Sequence, residues 1–228
     1  MMLLGLVITL FISLIQRKHY EYGIAKSLII PIMFLVVAFL GGKLMYILEN
    51  FHSVYEYGIQ LKGMSLFGAI FLFPLFTYLV SKFTKIDLAE MLDYCTPFGI
   101  ILLCCTRTGC FINGCCGAIT FWNNGNPIIL PVQLMEVALD LIILEVCFYF
   151  EKTKFKSGMV YPLFMMLYGI CRFGLEFLRK TEPAVFIFSN GQIFSIICLV
   201  LGFILFQHFN KRYNTTKKKK RVKQMKKA

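Results

Sequence analysis

The chain has 228 residues, 58% of them hydrophobic and 16% charged, with a mean hydropathy of +0.70 and a formal net charge of +12. That much apolar surface exceeds what one soluble core of this size can hide, which excludes an ordinary soluble domain and makes lipid the natural solvent for the excess. The charge does not indicate a nucleic-acid partner: ten of the twenty-four Lys and Arg residues fall between Lys211 and Lys227, so it belongs to a tail and not to a folded patch.

A bilayer core of about 30 Å needs roughly 20 apolar residues of helix. Such runs lie near 1–16, 25–48, 64–81, 88–106, 131–150, 159–178 and 191–209. They predict an all-α polytopic membrane protein of about seven transmembrane helices, one domain over 1–210, and a basic tail over 211–228. The tail from Tyr213 onward has almost nothing apolar to bury and is expected to be disordered, a solvated anchor to anionic inner-leaflet lipid. Met1 to Ile15 has no basic residues before it and no small-residue cleavage site, while Arg17 and Lys18 follow it; it reads as a retained span entering from outside. Turn residues punctuate the links, as in Asn123-Asn124-Gly125-Asn126-Pro127, Lys156-Ser157-Gly158 and Thr181-Glu182-Pro183.

Basic residues in short loops are retained on the cytoplasmic side. With the amino terminus outside and the carboxy terminus cytoplasmic, the inner segments hold Arg17, Lys18, Lys26, Lys82, Lys85, Lys152, Lys154, Lys156 and the ten of the tail. The outer segments then hold only Lys62, Arg179 and Lys180. An even number of spans would spoil this asymmetry.

Lys43, Arg107 and Arg172 remain, within or at the edge of apolar runs. Charge at bilayer depth costs at least ~2.5 kcal/mol on insertion scales, so these residues should face a protein interior or a wet cavity. Asp93 opens the fourth run ahead of Pro97 and reads as a cap or as a partner of a basic loop. Arg107 stands fourteen residues further on, about 21 Å along a helix at ~1.5 Å per residue, toward the outer leaflet. The Gly-rich stretch Thr108 to Gly117 follows it. That stretch reads as irregular backbone, tolerable only against protein or a cavity, whose N–H groups could approach an anion.

Gln133, Glu136 and Asp140 share one face of the fifth run, and Tyr168, Arg172, Glu176 and then Arg179 or Lys180 share one face of the sixth. Arg172 and Glu176 could form an ion pair that only fixes helix packing. Arg107 and Arg172 could instead hold a phosphodiester through their planar donor forks. The nine cysteines lack the spacing of a secreted disulfide scaffold and read mostly as small buried hydrophobes. Cys110, Cys115 and Cys116 stay open as metal ligands, though their spacing matches no zinc pattern and no intramembrane His could join them. No metal or cofactor is expected.

Arg107-Thr108-Gly109-Cys110-Phe111-Ile112-Asn113-Gly114 resembles the signature of the prolipoprotein diacylglyceryl transferases: Arg, any residue, Gly, Asn, Phe, an aliphatic residue, Asn and Gly. Further pieces follow in that family's order. They are Gly41-Gly42-Lys43 with Tyr46, Gly63-Met64-Ser65 with Gly68, Leu92-Asp93 with Pro97, Pro131-Val132-Gln133-Leu134 with Glu136, Tyr168-Gly169 leading to Arg172, Glu176 and Arg179, and Gly191-Gln192. The resemblance implies a bacterial inner-membrane enzyme, multi-pass, that acts on phosphatidylglycerol and on the lipobox cysteine of a lipoprotein precursor. The thiol would attack the glycerol carbon, form a thioether and release glycerol phosphate.

By the same resemblance Arg107 and Arg172 are the catalytic pair that holds the headgroup and the departing phosphate. Gly109, Asn113 and Gly114 shape the pocket, and Glu136 and Glu176 orient the arginines. Lys43, Tyr46, Cys110, Gln133 and Arg179 complete the substrate-binding set. The sequence departs from the family in four places, one being that the His-Tyr-Gly segment that usually enters the first span is not found. Ser65-Leu66-Phe67-Gly68 stands where the family has Ser-Phe-His-Gly, Cys110 replaces the first signature asparagine, and the outer insertion is cut to about a dozen residues, Ala118 to Ile129. A thiol near pKa 8.5 needs a base or an electropositive site. A phospholipid-binding membrane protein without turnover, or with another acceptor, is therefore the competing reading; a solute transporter would call for an internal repeat that the sequence does not display.

Overall fold

A computed structural model describes residues 1–51, 55, 66–114, 120–123, 126–154, 158–179 and 188–225. Seven helices are described: α1 (Met2–Gln16), α2 (Ile24–Glu49), α3 (Leu66–Thr84), α4 (Leu88–Ile112), α5 (Val132–Lys154), α6 (Val160–Glu176) and α7 (Asn190–Met225). They fit a polytopic membrane protein. The stretches Ile24–Leu48, Leu88–Ile112 and Asn190–Thr215 are each long and apolar enough to cross a bilayer alone. On α1, Leu3, Val7, Phe11 and Ile15 are exposed at every fourth position, an apolar stripe that water would not tolerate and lipid would.

Two expectations need correction. The outer insertion is not a plain loop: β1 (Thr120–Asn123) and β2 (Asn126–Ile129) form an antiparallel ribbon, with Thr120 opposite Ile129 and Asn123 opposite Asn126. Strands of four residues leave too little alternation to read as strand. The last helix does not stop near residue 209 either, since its backbone stays helical through Met225, where the basic tail was expected to be disordered. Lys, Arg and Gln are good helix formers, and a helix already nucleated by the membrane span extends through them at little cost.

The chain divides into two compact units, Met1–Cys105 and Thr106–Ala228. In the first, α2 lies along α3 and against α1. A Cβ at Gly5 of α1 would come within 2.9 Å of Leu102 on α4. Edge-on aromatic contacts fill the interior: Tyr94 meets Tyr20, Tyr22 and Phe98, and Phe34 meets Phe73 and Phe98.

Pro31 lies inside α2 and has no N–H to give the carbonyl of Ser27, four residues earlier. Ser13 Oγ of α1 donates to that carbonyl instead, and Tyr94 Oη lies 2.6 Å from the same Ser13 oxygen. A proline defect in α2 thus becomes a hydrogen-bonded junction of α1, α2 and α4, the kind of re-satisfaction that makes proline tolerable in spanning helices.

In the second unit α6 lies between α5 and α7, closest to α7. Small residues permit that approach. A Cβ at Gly169 would sit 2.8 Å from the Ser195 carbonyl, and one at Gly202 would sit 2.9 Å from Met166 and 3.0 Å from the Pro162 carbonyl. The start of α7 carries a capping box: Ser189 N–H donates to Gln192 Oε1 at 3.0 Å, and Gln192 N–H donates to Ser189 Oγ at 3.2 Å.

Candidate functional site

The second unit gathers the charged residues of three helices into its interior. Arg107 comes from the last turns of α4, Glu136 and Asp140 from successive turns of α5, and Arg172 and Glu176 from successive turns of α6. The spacing of four residues puts each pair on one face, and α5 and α6 turn those faces inward. Arg107, Glu136, Asp140, Arg172 and Glu176 are all at most 6% exposed.

They form one alternating chain. Arg107 Nε lies 2.8 Å from Glu136 Oε1, although its N–H does not point along that line, so charge more than direction holds the contact. Arg172 Nη1 donates to Glu136 Oε2 at 2.9 Å. Arg172 Nη2 lies 3.2 Å from Glu176 Oε2, and Arg179 Nη1 lies 3.6 Å from the same oxygen. Ser189 Oγ donates to Glu176 Oε1 at 3.1 Å, which ties the cap of α7 to the chain. Three guanidiniums alternate with two glutamates, and an arginine stands at each end. Each carboxylate is shared by two cations, and Asp140 adds a third carboxyl group within electrostatic reach of Arg107 and Arg172.

Polar atoms of the same cluster remain over. Arg172 Nε, Tyr168 Oη and Asp140 Oδ2 are buried without a hydrogen-bond partner. Buried polar groups are nearly always satisfied, so two donors and one acceptor left open beside the arginines mark a place built for a polar ligand. Glycine makes room for the Glu176 carboxylate: a Cβ at Gly191 would lie 2.5 Å from its carbon.

The remaining expected residues fall into three groups. Gly109 and Cys110 lie in the last turns of α4, and Asn113 and Gly114 form the turn just beyond it. The helix therefore runs further into the Gly-rich stretch than expected: Thr108 to Ile112 is regular helix, stabilised by its own backbone bonds, and the left-handed position falls at Gly114 with φ +63. Asn113 and Gly114 are exposed. Gln133 lies on the first turn of α5, three residues before Glu136. Lys43 and Tyr46 lie on α2 in the first unit, with Lys43 Nζ 5.5 Å from the Tyr46 ring centroid, a cation–π contact. Ser65, Cys115 and Cys116 fall outside the described residues, and the side chain of Phe67 is likewise undescribed. Among the described residues no group of three His, Cys, Asp or Glu could hold a metal ion.

Ser189 and Gly191 enter the site without having been singled out for it. Gly191 was named only as part of Gly191-Gln192 in the family's order, and the signal for Ser189 was the Ser-x-x-Gln pattern of a capping box, which announces a helix start and says nothing about which carboxylate the cap will meet.

Comparison with known proteins gives the same frame. The family model described as prolipoprotein diacylglyceryl transferase matches residues 1–208. The chain is 26% identical over 223 residues to a phosphatidylglycerol–prolipoprotein diacylglyceryl transferase of Clostridium tetani, covering 90% of each chain. It is 33% identical over 190 residues to one of Ehrlichia ruminantium, covering 72% of each, and 30% identical over 215 residues to one of Campylobacter curvus, covering 86% of this chain and 78% of that one. On the match to that model and these identities, the chain belongs to the prolipoprotein diacylglyceryl transferase family.

Proposed function

We propose that this protein transfers the diacylglyceryl group of phosphatidylglycerol to the lipobox cysteine of a prolipoprotein. The cysteine sulfur attacks the glycerol carbon that carries the phosphate, the C–S bond forms, the C–O bond breaks, and its electron pair leaves on glycerol phosphate. The observation that carries this reading is the buried chain of Arg107, Glu136, Arg172, Glu176 and Arg179 with the open donors Arg172 Nε and Tyr168 Oη beside it. A phosphodiester monoanion would accept from those donors. The departing phosphate gains a further charge, which pre-oriented guanidiniums stabilise more strongly in the transition state than in the ground state.

Arg107 and Arg172 are the catalytic pair in this reading. Glu136 holds both in register, and Glu176 holds Arg172 and Arg179. Gly109, Cys110, Asn113, Gly114 and Gln133 border the ligand from the end of α4 and the start of α5, and Lys43 and Tyr46 belong to the substrate-binding set by family resemblance. The protein is multi-pass in a bacterial plasma membrane, amino terminus outside and carboxy terminus cytoplasmic, as its loop charges favour.

A second reading is supported by Phe67, which stands where the family motif has histidine: phospholipid binding without turnover, or transfer to another acceptor. The experiment that separates them uses the full chain in nanodiscs containing labelled phosphatidylglycerol, with a lipobox peptide added. Labelled peptide and free glycerol phosphate are expected from the parent, with both products reduced about 100-fold or more in Arg107→Lys and Arg172→Lys. Arginine-dependent lipid binding with neither product would favour the second reading.

A further inference from the structure

Removing a thiol proton requires an acceptor, and the family histidine is replaced here by Phe67. In the second unit the sequence holds one histidine, His208, and it is exposed on α7. The carboxylates of the cluster are therefore the groups to weigh. Glu136 gives one oxygen to Arg107 and the other to Arg172. Glu176 gives one oxygen to Ser189 and shares the other between Arg172 and Arg179. Both carboxylates are fully engaged with cations or a hydroxyl donor.

Asp140 is different. It is 2% exposed and its Oδ2 is buried with no hydrogen-bond partner; unlike Glu136 Oε1 and Glu176 Oε2, which also lack a hydrogen bond, it has no ion pair among the described residues. It lies one turn beyond Glu136 on the same face of α5, within the electrostatic reach of Glu136, Arg107 and Arg172. Tyr168 and Cys171 of α6 are the other titratable groups it acts upon.

Its depth is the decisive feature. Glu136 stands about 6 Å along α5 from Val132, and Asp140 about 12 Å. If a phosphodiester is held at the level of Glu136 with its free glycerol toward the outer surface, the diacylglycerol carbon to be attacked lies on the inner side, toward Asp140. This step rests on the transferase reading above. We infer that Asp140 is the proton acceptor for the attacking thiol, standing in for the missing histidine. The S–H bond gives its proton to Asp140 Oδ2 as the sulfur pair forms the C–S bond. The C–O pair leaves with the phosphate, and the proton passes to the departing phosphate or to water, which restores the carboxylate.

The test compares Asp140→Asn and Asp140→Glu with the parent, each as the full chain in phosphatidylglycerol nanodiscs. Two lipobox peptides are used, one with cysteine and one with selenocysteine. A selenol is already ionised at neutral pH and does not need the acceptor. Asp140→Asn should slow transfer to the cysteine peptide by about 100-fold or more, the usual worth of general base catalysis. It should slow the selenocysteine peptide less than about fivefold and flatten the rise of rate with pH. Asp140→Glu should recover part of the rate with cysteine. Equal slowing of both peptides would mean that Asp140 only supports the packing of the cluster and would overturn the inference. So would an unaffected cysteine rate, with the transferase reading left standing. A parent that transfers to neither peptide would remove both.

Discussion

Replacing Glu136 by Gln keeps the shape of the side chain and removes the charge that Arg107 and Arg172 share. The two contacts are 2.8 and 2.9 Å, and at an effective dielectric near 20 each is worth about 6 kcal/mol before desolvation is subtracted. The guanidiniums are 6% and 3% exposed, so they would stay buried after the change, with one cation of the pair no longer matched. Removing one partner from a buried ion pair typically destabilises by about 3–5 kcal/mol. For a chain of this length that corresponds to a fall in Tm of roughly 6–20 °C. The assay is thermal unfolding of the purified protein in one detergent, with Glu145→Gln as the control, since Glu145 lies on the same helix but is exposed. A shift below about 2 °C for Glu136→Gln, or one matched by Glu145→Gln, would refute the claim that Glu136 holds the cluster together.

Gly191→Ala should act at a distance on the same chain, because its Cβ would meet a carboxylate pinned by Arg172, Arg179 and Ser189. A loss of about 1–3 kcal/mol is expected, with weaker phosphatidylglycerol binding, whereas Gly174→Ala, where a Cβ meets open space, should be neutral or stabilising. Ser13→Ala removes the donor that serves the Ser27 carbonyl and should cost about 1–3 kcal/mol; adding Pro31→Ala restores a backbone donor and should recover most of that loss, a non-additivity visible in a double-mutant cycle. Tyr22, in the link between α1 and α2, donates to Glu90 Oε1 at 2.7 Å, and burial, followed by that bond to a carboxylate, pushes its phenol well above its ordinary value. Its contribution is therefore fully present below pH about 10, where the unfolded phenol begins to ionise, and is lost as pH rises further. Stability should thus fall less steeply above pH 10 in Tyr22→Phe than in the parent, as measured by unfolding across an alkaline series.

Much of the fold was legible because membrane helices need long apolar runs, and the seven runs correspond in order to α1 through α7. The charged faces were legible for a related reason. Spacings of four residues on α5 and α6 put Glu136 with Asp140 and Arg172 with Glu176 on single faces whatever surrounds them, and lipid forbids those faces to point outward. The ribbon of Thr120–Asn123 and Asn126–Ile129 was missed because strands of four residues show too little alternation. The helical continuation of α7 was missed because composition alone cannot distinguish a tail extended from a nucleated helix from one with no nucleus.

Amino-acid order by itself determined that Arg107 and Arg172 must share a buried interior with the carboxylates of α5 and α6, since charge in lipid has nowhere else to go. Only the tertiary structure decided how they divide. Glu136 reaches two arginines from different helices, Glu176 is held by a cap residue thirteen positions later, and Asp140 is left with an oxygen unclaimed. Helical periodicity fixes which residues share a face, but the choice of partner depends on how α4, α5 and α6 approach one another, and that is set by packing contacts far apart in sequence.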